Sequence, residues 1–154
     1  MIRTFEGSGD GAGLHVGIAV ASWNQAITDR LLEGALNRLE ALRVEEVTVV
    51  RVPGALELPV AAKTLIETGV DAVVAIGTVI KGDTDHYDIV VRESAAGIAL
   101  VAAQTGTPVA NAILAVHEVG HAMERAGRDD SNKGAEAVEA AVRTATALRG
   151  LQGR

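Results

Sequence analysis

A histidine, a carboxylate, an indole and two cations stand out in this aliphatic chain of 154 residues. In Thr78-Val-Ile-Lys-Gly-Asp-Thr-Asp-His86 an apolar run opens into a polar, glycine-containing loop and then into a helical pattern. Backbone N–H groups at a helix start, helped by a threonine hydroxyl, make an anion site. His86 adds a side chain whose ordinary pKa allows proton transfer near neutral pH, although a histidine in this position can also simply cap the helix or lie solvated. Pro53-Gly-Ala-Leu-Glu57 sets a carboxylate in the first turn of a helix, where it either caps that turn or accepts hydrogen bonds from a ligand's hydroxyls. Trp23 is one of only three aromatic side chains, with Phe5 and Tyr87, and follows a strand pattern in the loop Ser22-Trp-Asn24. A lone indole in that position suits stacking on a planar heterocycle. Arg125 and Lys133 flank a polar break at residues 127–132 and offer cations to a phosphate or a carbonyl, or else serve as helix-end charges. His117 and His121, spaced by four, lack a third ligand of clear spacing and read as surface residues of a short helix; His15 falls within a strand.

The elements that must carry these groups follow from period. Residues 14–21 form a β-rich apolar run, and Ile27, Leu31, Ala35, Leu39 and Leu42 then recur at helical spacing, with Asn24 or Thr28 as N-cap. The cycle repeats with a strand at 47–52 and a helix at 56–68 that tolerates Pro59 only in its first turn, closed by Gly69. A third strand at 72–79 leads through the polar stretch 81–88 into a helix ending near Gln104, with Gly106 as its stop. A fourth strand spans 108–114, and two helices follow at about 118–126 and 134–148. The strands are near-continuous apolar runs, as expected of strands buried on both faces of a parallel sheet. The expected architecture is a three-layer α/β/α sandwich with a four-stranded parallel sheet and right-handed crossovers, in one domain. Ligands bind such sheets beyond the carboxyl ends of the strands. Ser22-Trp-Asn24, Pro53 to Glu57, Lys81 to His86, and Asn111 with His117 are all expected there, four loops on one edge. Residues 1–6 belong to no unit and are expected to add to a sheet edge, of this chain or of a second copy.

Composition narrows the function. A net charge of −6 without a basic cluster excludes phosphate-backbone binding to nucleic acid. No apolar run reaches the roughly 18 residues that a bilayer requires, which argues against a membrane partner. The absence of cysteine removes disulfides, thiolate metal sites and a cysteine nucleophile. The N-terminal residues lack an apolar signal core, so a cytoplasmic location is expected.

Taken in order, the motifs resemble the lumazine synthase family across nearly the whole chain. The resemblance rests on Ser22-Trp23-Asn24, Pro53-Gly-Ala-Leu-Glu-Leu-Pro59, Gly77 to Tyr87, Glu124-Arg-Ala-Gly127 and Asn132-Lys-Gly134. It implies a flavodoxin-like fold and condensation of 5-amino-6-(D-ribitylamino)uracil with 3,4-dihydroxy-2-butanone 4-phosphate, with no cofactor or metal. By resemblance, Trp23 stacks on the pyrimidine, and the backbone at Ala55 and Leu56, with Glu57, holds the ribityl chain. Val79 and Ile80 give main-chain contacts to the pyrimidine, while Asp83, Thr84 and Arg125 bind phosphate. His86 shuttles protons. Lys133, with Asn111 and Arg125, reaches in from an adjacent subunit of a homopentamer, which in some members builds an icosahedral shell. The 127–133 stretch lacks the insertion of pentamer-only members, which leaves both a pentamer and a shell open.

The chain departs from the family pattern at Ala115-Val116-His117, expected to follow the fourth strand where threonines are frequent, at Asn111, aromatic in some members, and at Asp83, whose carboxylate needs Arg125 to offset it. Two rival readings use the same sheet. A non-catalytic shell or flavin-binding member would bind without turnover, and the retained Glu57, His86, Arg125 and Lys133 count against it. A receiver-like signalling domain would need clustered acidic residues at strand ends, where this chain has Trp, Gly-Ala and His.

Overall fold

The computed structural model describes residues 1–154. Its elements run β1 (His15–Ala21), α1 (Gln25–Ala41), β2 (Glu46–Val52), a 3-10 turn (Ala55–Glu57), α2 (Leu58–Glu67), β3 (Ala72–Ile80), α3 (His86–Thr105), β4 (Val109–Val116), α4 (Val119–Arg125) and α5 (Lys133–Gln152). The four strands form one parallel sheet in the order β2-β1-β3-β4. Side chains alternate across the strands and divide the core in two. Val16, Ile18, Val20, Val74 and Ile76 pack on α1 and α5 through Leu31, Ala35, Leu39, Val138 and Val142. On the opposite face, Ala19, Ala21, Val73 and Ala75 pack on α2 and α3 through Leu58, Ala62, Leu65 and Ile98. This is the expected three-layer arrangement.

The two central strands are buried on both faces, but the edge strands are not. Glu46, Thr48, Val49 and Arg51 of β2 are exposed, as are Asn111 and Ala115 of β4. An apolar run therefore signals an interior strand only where sheet neighbours flank it on both sides.

Punctuation is mostly where the sequence places it. Pro59 occupies the first turn of α2, where its missing N–H costs no hydrogen bond. Gly69 (φ 102°) and Gly106 (φ 69°) end α2 and α3 in the left-handed region that glycine enters freely.

Three local expectations need correction. The helix expected at 56–68 begins as a 3-10 turn and becomes α-helical only at Leu58, because the Glu57 carboxylate accepts from Gly54 N–H at 3.1 Å and tightens the entry. Asn24 stands at the N-cap of α1, but its side chain does not cap it. It adopts the left-handed conformation (φ 62°) and donates through Nδ2 to the Thr78 carbonyl at 2.9 Å. The fourth strand also runs two residues past Leu114. Ala115 and Val116 pair with Val79 and Ile80, and Lys81 N–H donates to Val116 O, so they are strand residues rather than loop.

Residues 1–6 pair with no strand of their own chain. Ser8 instead exchanges hydrogen bonds with Thr146 Oγ1 on α5, at 2.9 and 3.2 Å, while Ile2 is 92% exposed.

Candidate active site

A cleft of about 280 Å³ opens at the carboxyl end of the sheet, lined by residues that follow β1, β2 and β3. Trp23 and Asn24 come from the loop after β1, Gly54 to Glu57 from the turn after β2, and Thr78 to Ile80 from the end of β3, with His86 at the start of α3. Most of the lining is apolar, with Asn24, Glu57, Thr78 and His86 as polar exceptions, which is the usual make-up of a site for a small planar ligand. A recess of about 330 Å³ between α1 and the 127–132 segment is larger, but a single alanine is its only apolar wall. It offers a flat heterocycle no aromatic side chain.

Local chemistry explains how each group is held. Trp23 lies against Gly54, where an added Cβ would come within 2.5 Å of the indole ring. Only a residue without a side chain lets the indole settle there, with 65% of its surface open. Asn24, by tying its amide to Thr78 O, clamps this loop to the end of β3. The N–H groups of Ala55 and Leu56 begin the 3-10 turn and have no acceptor within the chain. Glu57 is half-buried, with one carboxylate oxygen on Gly54 N–H and the other free.

The third loop is similarly open. Residues 82–85 donate no backbone hydrogen bond, and the Thr84 hydroxyl faces His86 N–H at 3.4 Å. Consecutive free N–H groups ahead of the twenty-residue α3 have the geometry that receives a phosphate. Asp83 and Thr84 are exposed, and Asp83 makes no ion pair.

The remaining expected residues do not join this cleft. Asn111, Arg125 and Lys133 line a separate groove of about 260 Å³ along the free edge of β4, with Ile113, Ala115 and Val116. Four loops do meet at the carboxyl edge, with His117 directly after β4, but Asn111 is paired with Ala75 in mid-sheet rather than standing there. Its Oδ1 accepts from Ile113 N–H at 2.8 Å, which leaves the Nδ2 donors free. Arg125 donates to His121 O at 2.9 Å and has no carboxylate partner, while Lys133 pairs with Glu136 at 2.8 Å. The groove thus presents donors and positive charge, and the cleft presents an indole, a carboxylate and an imidazole.

Sequence reasoning passed over several residues that organise these surfaces. Asn132, 2% exposed, accepts from Ala135 N–H and donates to the carbonyls of Arg30 and Gly127. It caps α5 and docks the polar break on α1. Gly134 sits so close to α1 that a Cβ would lie 2.1 Å from Leu31 O. In the Asn132-Lys133-Gly134 motif the outer residues therefore fix the backbone and Lys133 is the group presented. The buried Thr78 Oγ1, at the exit of β3, has no hydrogen-bond partner. A capping Asn and a close-contact Gly leave a sequence signal, but their partner, α1, is about a hundred residues away along the chain.

The sequence that builds these two surfaces is similar to that of known proteins. The family described as 6,7-dimethyl-8-ribityllumazine synthase matches residues 13–149. A protein of that name from Kineococcus radiotolerans is 50% identical over 144 residues, covering 92% of this chain and 89% of the relative. One from Thermococcus gammatolerans is 43% identical over 152 residues, 98% of each chain. Another, from a Mycobacterium species (strain KMS), is 44% identical over 147 residues, covering 94% of this chain and 91% of the relative. With the family spanning every element that shapes the cleft and the groove, the chain belongs to the 6,7-dimethyl-8-ribityllumazine synthases.

Proposed function

We propose that this chain condenses 5-amino-6-(D-ribitylamino)uracil with 3,4-dihydroxy-2-butanone 4-phosphate to 6,7-dimethyl-8-ribityllumazine, releasing phosphate and water, as a cytoplasmic homo-oligomer. The observation that carries the reading is the division of the expected site into a cleft with Trp23, Glu57 and His86 and a donor groove with Asn111, Arg125 and Lys133. Two surfaces of one chain that are each half of a site become whole when the groove of one copy faces the cleft of the next. The assembly we propose is a cyclic pentamer, alone or in an icosahedral shell, with residues 1–6 adding to a neighbour's sheet edge; repeated head-to-tail contact closes into such a ring.

In this arrangement Trp23 stacks on the pyrimidine, and the main chain at Val79 and Ile80 meets its polar edge. Free N–H groups at Ala55 and Leu56, with the free Glu57 oxygen, hold the ribityl hydroxyls. The N–H groups at Asp83 and Thr84 take the phosphate, and Arg125 of a second copy offsets part of the negative charge that the phosphate and the Asp83 carboxylate bring together. Lys133 must exchange Glu136 for a substrate carbonyl. His86 takes the proton lost as the amine attacks the ketone and returns it as water leaves the carbinolamine to form the imine; it then takes the proton of the adjacent carbon and gives one to the departing phosphate, and relays another as the ribitylamino nitrogen closes the ring and a second water leaves. Holding two reactants in register supplies about 7–11 kcal/mol of rate enhancement, more than one general acid–base does.

The test is direct. Purified oligomer mixed with the two substrates should raise lumazine absorbance well above the uncatalysed rate. A folded oligomer that adds nothing to that rate would sink the proposal.

A further inference from the structure

We infer that His117 is a positioning residue for this reaction, an inference resting on the function proposed above: its ring, packed on Tyr87, holds the first turn of α3 and the phosphate loop in place. The 82–86 loop is short of internal support. Residues 82–85 donate no backbone hydrogen bond, its long His86 N–H to Thr84 Oγ1 contact is 3.4 Å, and residues 81–86 are all exposed. Two contacts with the end of β4 bracket it. On one side Lys81 N–H donates to Val116 O at 2.9 Å, extending the β3–β4 ladder past the last strand residue. On the other, the Tyr87 ring meets His117 edge to face, with centroids 5.8 Å apart and planes at 80°. Tyr87 is half-buried amid exposed neighbours, and this is the only ring–ring contact in the molecule.

The brackets fall on adjacent residues, Val116 and His117. One rigid point, the end of β4, therefore sets both ends of the loop. His86 precedes Tyr87 directly, so the imidazole that lines the cleft is placed by the same contact. His117 itself lines neither the cleft nor the β4 groove, so its effect is transmitted through Tyr87.

If the ring is what matters, His117→Ala should raise KM for the butanone phosphate roughly two- to ten-fold, the range of an aromatic pair, with KM for the pyrimidine unchanged. His117→Phe should restore it, and Tyr87→Leu should mimic His117→Ala without adding to it in the double variant. A purely structural loss would instead lower kcat through a smaller folded fraction and leave both KM values alone; that result overturns the inference, as does failure of His117→Phe to rescue. Hydrogen exchange gives a readout that needs no turnover. The bonded amides at the two ends of the loop, Lys81 and Asp88, should exchange faster in His117→Ala than in wild type or His117→Phe, and equal rates overturn the inference even if the wild type makes no lumazine. Product from the wild type combined with unaltered exchange and KM in His117→Ala would leave the function standing and remove only the role of His117.

Discussion

His86 and Trp23 illustrate two ways in which a residue's type limits what it can contribute. An imidazole can move protons, an effect of about 10²–10⁴-fold, while proximity of the two substrates remains when it is gone. We therefore expect His86→Ala to reduce kcat within that range and still to exceed the uncatalysed rate in single-turnover assays; complete loss of activity with substrate binding intact would give proton transfer a larger share. Trp23 depends on a neighbour with no side chain. In Gly54→Ala the new Cβ would lie 2.5 Å from the indole and 3.3 Å from Glu57 Oε2, so the ring must leave its seat. Because Trp23 is the only tryptophan, its fluorescence reports that movement without interference. The expected outcome is a shifted emission maximum and a higher KM for the pyrimidine, with global stability little changed. The placement of His86 and Trp23 beside the cleft was legible from type and loop position. That of Gly54 was not, since a Pro-Gly pair marks a turn whether or not a ring rests on it.

At the scale of elements, α5 is locked to α1 by Asn132 and Gly134. Gly134→Ala places a Cβ 2.1 Å from a backbone carbonyl that cannot rotate away, so the helices must separate at a cost of about 1–3 kcal/mol. Asn132→Ala removes a cap worth about 1 kcal/mol and strips the Arg30 and Gly127 carbonyls of their donor, which costs a further 1–3 kcal/mol or so where they stay buried. Urea denaturation should show both as a lower midpoint, and Lys133, which follows Asn132 directly, should lose its fixed position.

The lead-in to β1 is pinned differently. Arg43 donates two hydrogen bonds to Asp10, and these, with the Ala12 N–H, hold the Asp10 carboxyl below the ordinary carboxylate range. A depressed pKa stabilises the fold above the unfolded-state pKa, and that stabilisation is lost as pH falls through the lower folded value. Amide protection at residues 10–14 should accordingly weaken only well into the acid range, and Asp10→Asn should abolish that pH dependence. Both side chains are exposed, so the effect should also diminish in high salt.

For the whole molecule, the separation of cleft from groove makes the strongest demand. If each site joins the cleft of one copy to the groove of the next, then Trp23→Ala and Arg125→Ala should each lower activity sharply. Unfolded together and reassembled as mixed oligomers, they should recover about a quarter of the wild-type sites, as random pairing in a symmetric ring requires. No recovery from verified mixed oligomers would place both halves within a single copy's reach. Exposed Leu56, Val60, Ile89 and Leu100 on the turn before α2, on α2 and on α3, and the unpaired edges of β2 and β4, are features a ring contact would cover.

The elements and their order, the polar loops at strand ends and the chemical repertoire of the site could be read from the chain itself, because periodicity, breaker residues and side-chain type are local properties. Family membership was legible for the same reason, as an ordered series of short motifs. Tertiary structure decided which groups share a surface. It moved Ala115 and Val116 from loop to strand, since strand length depends on how far β3 continues beside them. It set Asn24 on Thr78 O rather than on its own helix, and it placed Asn111, Arg125 and Lys133 on the far edge of β4, away from His86. Strand order is a property of the assembled sheet, and with β4 outermost its free edge must face outward, away from the cleft it resembles half of.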